Sequence, residues 1–591
     1  MGRDAMKTIL TLAGVAFLGL DGALLQGFAA PRRQRVATDA VLVDRSAKPI
    51  KDQRNSSCAP DLGYAGCLLE FWPKYDAADW LYDKANDAAT WKVLDGAGVH
   101  LVRQWGAVMA WQTGRVYAKT SSAEARLALR KRRNGDCPDP HKYFSFWKRH
   151  GIRALLTLEH YKVYAGEDCA QTANDLATVK RTILDYVKWI RDNGYAETVA
   201  GFELGNEAYW GNNPEDYAAR WCEILPDLKR MWPEVRIGIP LAEYAANDPD
   251  IAAVRARATG LEWVEEKGAF KFNKLNQWSG RFVTAMSNQL HNVSHVIYHF
   301  YGANRAYGCG NSGFERYRAF AKVFPEVADK RVWITEWRER SDEDNRCHQT
   351  FFSSLWKGHY MLAVLAQPEI DGISLHNLAS LSGGINAGGV GSWHTQWNPA
   401  GRDYDQIVPT DKVRIEVGPA GPVFRLYCNA LLGHPVILDH GHLHVPGKVY
   451  QGENSHFWCG TVYYETGCRR MDDIAKGKDA KHLTAIDGNV EWVTALSADG
   501  KSLAVLMTNT LQEDAELPVR LKDGVFSGEA VTEWTTIPER HVFNHLVPGE
   551  KPLWIDGRRT DKAKGDRFVI RVGKNSVQTV VLPIGAAKGA K

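Results

Sequence analysis

Two stretches of this sequence decide its fold, Gly201-Phe-Glu-Leu-Gly-Asn206-Glu207 and Val332-Trp-Ile-Thr-Glu336-Trp337. Each is a short apolar run that leads to a carboxylate, a pattern typical of a buried β-strand that delivers one acid to the edge of a sheet. Strands of a closed parallel barrel end at one common face, where side chains from distant parts of the chain converge. We therefore expect Glu207 and Glu336 to share one pocket.

Between residues 60 and 433, eight short apolar segments alternate with amphipathic ones. Near-continuous hydrophobicity fits strands buried on both faces. Eight strand–helix repeats predict an α/β fold of the (β/α)8 TIM-barrel type. A doubly wound open sheet is the alternative, but it normally shows a glycine-rich phosphate turn after its first strand, and this sequence shows none. The predicted strands are Tyr64–Phe71, Val99–Trp105, Ala154–His160, Val199–Asn206, Arg236–Leu241, His295–Tyr301, Arg331–Glu336 and Gly372–Asn377.

The sequence predicts one segment on each side of the barrel and two long loops within it. Residues 434–591 alternate in short apolar strands and turns, which indicates an accessory C-terminal antiparallel β-sandwich. Residues 31–59 form a linker whose segment Val36–Val43 is a candidate extra strand of that sandwich. The connections Ala107–Pro140 and Ala379–Gly421 are predicted to be loops that wall the catalytic face.

Residues 1–30 have the pattern of a signal peptide, with Lys7 before an apolar run and small residues after it. The chain is therefore expected to be secreted or periplasmic, with no membrane attachment after cleavage. Ten cysteines fit an oxidising compartment. The candidate disulfide pairs are Cys58 with Cys67, Cys459 with Cys468, Cys309 with Cys347, and Cys137 with Cys169.

The amino-acid composition limits the classes of binding partner that the sequence predicts. A net charge of +4 over 591 residues gives no global reason to expect nucleic acid or a membrane surface as a partner. The 21 Trp and 22 Tyr residues fit either stacking on sugar faces or filling of large cores. No metal-ligand spacing stands out, so no cofactor is predicted, and the oligomeric state is left open.

Glycosidic bond cleavage needs a proton donor at the leaving oxygen and a second carboxylate at the anomeric carbon. Glu207 and Glu336 end the fourth and seventh predicted strands and can supply both. Asn206 can hydrogen-bond a sugar hydroxyl. The sixth strand ends in His299 and Tyr301, whose side chains point to one side because strand side chains alternate. Tyr301 can donate a hydrogen bond to the nucleophile, and His299 can bind substrate or tune the acid.

The sequence resembles the retaining glycosidases of clan A, the four-seven barrel superfamily, and is most similar to its families 30, 39, 51 and 79. The motifs that carry the resemblance are Leu-Gly-Asn206-Glu207, His299-Phe-Tyr301 and Trp-Ile-Thr-Glu336-Trp337. It implies that Glu207 is the general acid/base and Glu336 the nucleophile. It also implies that Asn206 binds the 2-hydroxyl, that Tyr301 contacts Glu336, and that Arg103 lies near the nucleophile.

Other residues are candidates for substrate binding because they end catalytic-face strands or follow them. Glu203 is expected to point away from the pocket in a structural ion pair, and Arg103 fits either an ion pair with Glu336 or a substrate contact. The further candidates for substrate contact are His160, Trp105, Trp210, Trp337 and Asn377.

The predicted function is therefore a retaining O-glycoside hydrolase acting on a polysaccharide or oligosaccharide. A non-catalytic carbohydrate-binding protein on the same scaffold is the alternative from another class. Arginines on the catalytic-face loops keep a uronic-acid-containing glycan, as in β-glucuronidases and heparanases, open as the substrate.

Overall fold

The structure is a computed structural model. It describes residues 36–37, 40–55, 62–64, 82–133, 137–159, 161–242, 272–301, 317–318, 320–338, 351–375, 385–389, 413–417, 421–448, 486–511, 513–536 and 554–585.

Eight parallel strands form a closed barrel, in which each strand pairs with the next and the last pairs with the first. The predicted TIM-barrel fold is thus confirmed. The described part of the first strand shares Tyr64 with the predicted segment Tyr64–Phe71, whose other residues lie outside the described ranges. The strands are β1 Leu62–Tyr64, β2 Leu101–Gln104, β3 Arg153–Leu158, β4 Val199–Leu204, β5 Ile237–Pro240, β6 His295–Tyr301, β7 Arg331–Arg338 and β8 Ile370–Leu375.

Helices pack around the barrel. The prediction that the whole connection Ala107–Pro140 is a loop was wrong, since most of it is helical. Trp111 and Tyr117 of its first helix are buried, and Glu159 accepts hydrogen bonds from the backbone of Val108 and Met109 at the start of that helix, both at 3.0 Å. The helices are α1 Asp87–Gly96, α2 Ala107–Lys119, α3 Ala123–Arg133, α4 Pro140–His150, α5 Leu176–Asp192, α6 Pro214–Met231, α7 Phe272–Ala285, α8 Phe351–Leu365 and α9 Gly421–Gly433.

The barrel interior is filled by a large aromatic side chain. Trp333 of β7 is fully buried, and its ring stacks on His295 with centroids 3.9 Å apart. Glycine is required at two facing positions, because a Cβ atom would lie 2.4 Å from the Trp333 ring at Gly201 and 2.8 Å from it at Gly238. The ring therefore closes the barrel beneath the ends of β4 and β5.

The C-terminal part is a two-sheet, mainly antiparallel β-sandwich, to which the N-terminal segment contributes. The short strands Val36–Ala37 and Val41–Val43 pair in parallel with Ala515–Leu521, and Lys51–Asp52 pairs with Val436–Lys448. The other sandwich strands are Ile486–Leu496, Ser502–Asn509, Val525–Thr536, Ile555–Gly565, Arg567–Val572 and Ser576–Gly585.

A polar cluster joins α8 to the sandwich. His359 of α8 and His440 of the first sandwich strand both hydrogen-bond the buried carboxylate of Glu491, at 2.9 Å and 2.7 Å. Apolar side chains of α8, α9 and the sandwich surround this cluster in one continuous core. One face of the sandwich therefore continues the hydrophobic core of the barrel, while the residues between its two sheets form a separate core.

The predicted link between Cys137 and Cys169 does not form, and no disulfide joins any of the four cysteines in the described ranges. Both side chains pack as buried thiols with Tyr117, Leu129 and Tyr164, so they fill space as small apolar groups. The other proposed pairs lie outside the described residues, as does the predicted signal peptide. Among the described helices, none combines the length and apolar character that a membrane crossing requires.

Candidate active site

Arg103 lies at the centre of the polar network on the catalytic face. Its guanidinium donates to both carboxylate oxygens of Glu203 at 2.7–2.9 Å, to Oε1 of Glu336 at 2.7 Å and to Oδ1 of Asn206 at 2.7 Å. Burial alone lowers the pKa of Arg103, but the charges of Glu203 and Glu336 outweigh it and raise the pKa above its ordinary value. One permanent cation thus holds residues from β4, β7 and the turn after β4.

The backbone after β4 turns sharply and places Glu207. Gly205 has φ of 82°, and Glu207 itself has φ of 44°, in the left-handed region that non-glycine residues seldom adopt. Glu207 heads a 3-10 turn over Ala208–Trp210, and Tyr209 of that turn donates to its Oε1 at 3.2 Å. Unfavourable backbone conformations of this kind cluster at functional sites.

A register shift between β6 and β7 brings His299 opposite Glu336, although the preceding pair is Tyr298 with Ile334. Irregularities of this kind re-aim side chains beside active sites. His299 Nδ1 lies 2.9 Å from Oε1 of Glu207 and 3.3 Å from Oε2 of Glu336. Burial lowers the pKa of His299, but Glu336 and then Glu207 outweigh it and raise the pKa above its ordinary value.

The two carboxylates are therefore close together. One ligand atom from each of Glu207, His299 and Glu336 lies within 4.8 Å of the others. The side chain of Glu336 is 7% exposed and that of Glu207 is 28% exposed, so the latter is the more accessible acid. The three groups also suit a divalent cation.

The structure brings five of the predicted site residues into one hydrogen-bonded group, namely Arg103, Asn206, Glu207, His299 and Glu336. Of the two roles considered for Arg103, the structure shows the ion pair with Glu336.

Trp105 and Trp210 follow β2 and β4 and are 54% and 47% exposed. Tyr301 and Trp337 lie in β6 and β7, but their side chains are outside the described residues. His160 and Asn377 lie outside them entirely.

Glu203 corrects one expectation and shows what the sequence reasoning missed. Its ion pair was predicted, but its side chain points toward the pocket side of the barrel, where it holds Arg103. The signal was a charge inside the apolar run Val199–Leu204, since a fully buried carboxylate needs a partner. The contact of Thr335 with His299, at 3.1 Å, had no signal in the sequence.

No protein-family model matches this sequence, and no curated protein matches it either. Among solved structures, an α-L-arabinofuranosidase from Thermotoga maritima is similar with a TM-score of 0.54 and 12% identity, over 92% of this chain and 99% of that one. A family 51 α-L-arabinofuranosidase from Bifidobacterium longum gives a TM-score of 0.51 at 12% identity, with the same two shares.

These likenesses extend over nearly the whole of each chain, so they include both the barrel and the sandwich. They confirm the predicted resemblance to the clan A barrels as a likeness of fold. Fold and site together define a (β/α)8-barrel protein whose fourth and seventh strands deliver a facing pair of carboxylates.

Proposed function

We propose that this chain is a secreted or periplasmic retaining O-glycoside hydrolase that cleaves a polysaccharide or oligosaccharide by double displacement. The observation that carries the proposal is the approach of Glu207 and Glu336, since one carboxylate oxygen of each lies within 4.8 Å of the other. Retaining enzymes separate their two carboxyl groups by about 5–5.5 Å, whereas inverting enzymes leave about 6.5–9.5 Å for a water molecule.

In the first step, an oxygen of Glu336 attacks the anomeric carbon and forms a bond to it. The glycosidic C–O bond breaks, and Glu207 gives its proton to the leaving oxygen. In the second step, Glu207 takes a proton from water, whose oxygen attacks the anomeric carbon and releases Glu336. Both steps invert the configuration, so the product retains it.

The surroundings of each carboxylate support this division of roles. Glu336 is nearly buried and accepts a charge-assisted hydrogen bond from Arg103, which fixes the carboxylate that attacks. Glu207 is more exposed. A general acid needs this exposure, because it contacts first the departing group and later a water molecule. Asn206 accepts from Arg103 through Oδ1, so its NH2 group remains as the donor for a sugar hydroxyl.

The test is a screen of the purified chain on aryl glycosides and soluble polysaccharides. Because similar structures are arabinofuranosidases, α-L-arabinofuranosides are tested first, followed by β-xylosides and β-glucuronides. Hydrolysis of a β-glucuronide would identify a uronic-acid-containing glycan as the substrate. Proton NMR of the first product should show retained configuration.

Two variants assign the acids. Azide should restore turnover to Glu336→Ala with an inverted glycosyl azide, and to Glu207→Ala with a retained one. The exposed variant Glu533→Gln is the control. An inverted first product, near-normal turnover of Glu336→Ala, or glycan binding with no release of reducing sugar would contradict the proposal; the last result fits a carbohydrate-binding protein. Loss of turnover with a chelator would instead indicate metal-dependent hydrolysis.

A further inference from the structure

A polar cavity opens beside the turn that carries Glu207. Its volume is about 490 Å³, within the usual range for ligand pockets. One wall is the segment Gly211–Asn213, which directly follows the 3-10 turn Ala208–Trp210. A 3-10 turn rises only about 2 Å per residue, so this wall begins roughly 8 Å along the turn from Glu207.

The opposite wall is a small hairpin after β3, and it is held in place. Its strands are Val163–Tyr164 and Thr172–Ala173. Gln112 of α2 fixes the hairpin by hydrogen bonds to both backbone groups of Tyr164, at 2.9 Å and 3.0 Å. These two hydrogen bonds tie the hairpin wall of the cavity to helix α2.

Aromatic exposure is concentrated on this part of the rim. Among the described residues, the exposed aromatic side chains are Trp105, Tyr161 and Trp210, which are 47–54% exposed. They follow β2, β3 and β4, three consecutive strands of the barrel. An exposed ring is a platform for the C–H face of a sugar, and Tyr161 also lines the cavity.

The other groups that line the cavity are suited to neutral hydroxyls. Asn174, Asn212 and Thr172 bring amide and hydroxyl groups, and the charges of Lys162, Asp216 and Arg220 are of mixed sign. Two of these charges are positive and one is negative, and Arg220 also donates a hydrogen bond to the backbone oxygen of Asn174 at 2.9 Å. The lining thus combines an aromatic face with hydrogen-bonding groups, as carbohydrate recognition requires.

We infer that this cavity binds a sugar unit of the leaving group, so that the substrate is a saccharide chain. This inference rests on the proposed function. Glu207 protonates the leaving oxygen, and the cavity starts at the turn that Glu207 heads. The departing sugar therefore lies on the side of the site bounded by Tyr161 and Trp210, and the retained sugar lies over the buried Glu336.

The test compares two substrates with the same sugar at the cleaved bond. One is the 4-nitrophenyl glycoside that wild type cleaves best, whose leaving group is too short to fill the cavity, and the other is a linear oligosaccharide of that sugar. Tyr161→Ala should lower kcat/KM for the oligosaccharide about tenfold, as expected for one lost aromatic contact, and change the aryl glycoside less than about twofold. Asn174→Ala should lower it about two- to tenfold through a lost hydrogen bond.

The matched control is Ile555→Ala, which removes an equally exposed side chain, 55% accessible, from the sandwich. Equal losses on both substrates, or none on the oligosaccharide, would overturn the inference. Retardation of wild type in gels containing arabinoxylan or β-glucan gives a second readout. If wild type is retarded and Tyr161→Ala is not, the cavity binds saccharide even if no glycoside is hydrolysed. If wild type is not retarded at all, the inference is wrong.

Discussion

Replacing Glu203 by Gln tests whether Glu336, the proposed nucleophile, is positioned indirectly. Glu203 is fully buried in β4 and reaches the candidate reaction centre only through Arg103, whose guanidinium it shares with Glu336. The substitution keeps the shape of the side chain and removes its charge. One amide oxygen can still accept from Arg103, but the amide NH2 group faces a donor where an acceptor had been.

The expected magnitudes follow from this geometry. Removing one partner of a buried ion pair costs about 3–5 kcal/mol. At about 2 °C per kcal/mol for a large domain, the melting temperature should fall by roughly 6–10 °C. Without the charge of Glu203, Arg103 is attracted to Glu336 alone. A displacement of about 1 Å is enough to lower turnover about 100-fold, so we expect kcat to fall by that factor while KM changes less than about threefold.

The assay is thermal unfolding together with steady-state kinetics on the best aryl glycoside. Glu533→Gln is the matched control, because it removes a carboxylate from a pair with Arg558 whose side chains are 45% and 67% exposed. Exposed pairs contribute about 0–1 kcal/mol, so this variant should behave as wild type. A folded Glu203→Gln protein with kcat within twofold of wild type would refute the positioning role, even if its melting temperature falls.

Three further predictions concern pH and packing. Because the pKa of His299 is raised, its contribution to the stability of the fold is complete below its ordinary pKa of 6.5 and is lost as pH rises through the folded-state pKa. The variant His299→Asn should therefore show a smaller fall of melting temperature above neutral pH. Burial raises the pKa of Glu491, but the hydrogen bonds from His359 and His440 outweigh burial and lower that pKa, so the stability that Glu491 contributes is present above pH 4.5 and is lost in acid. The variant Glu491→Gln should therefore have a lower melting temperature at pH 7 and a melting temperature that depends less on acid pH. Gly201→Ala should destabilise by about 1–3 kcal/mol in denaturant unfolding because its methyl group meets Trp333, whereas Gly433→Ala, with open space around it, should not.

The barrel strands could be predicted because burial on both faces leaves continuous apolar runs. The ends of β4 and β7 were also readable, since a carboxylate after such a run is conspicuous. The helix α2 was missed, because a long connection after a strand was equated with a loop. Its amphipathic residues Trp111 and Tyr117 were the signal that should have been used.

The arrangement of charges inside the site was only half predictable. For Arg103, an ion pair with Glu336 and a substrate contact were both predicted as possible, and Glu203 was predicted to form an ion pair with an unspecified partner. That both pairs use one guanidinium depends on the stagger of strands β2, β4 and β7 around the barrel. The register shift that sets His299 opposite Glu336 likewise arises from strand pairing, which no local pattern in either segment encodes.

The junction between barrel and sandwich has a consequence for protein engineering. The predicted boundary near residue 434 separates the barrel from the sandwich along the sequence. Helix α8 precedes this boundary, but it contacts the sandwich through the hydrogen bond between His359 and Glu491. A truncated barrel would carry an uncovered apolar surface and a histidine without its carboxylate. The sandwich is thus better regarded as a permanent part of the folded barrel unit than as a detachable module. Chimeras that exchange it should fold stably only when helix α8 is exchanged with it.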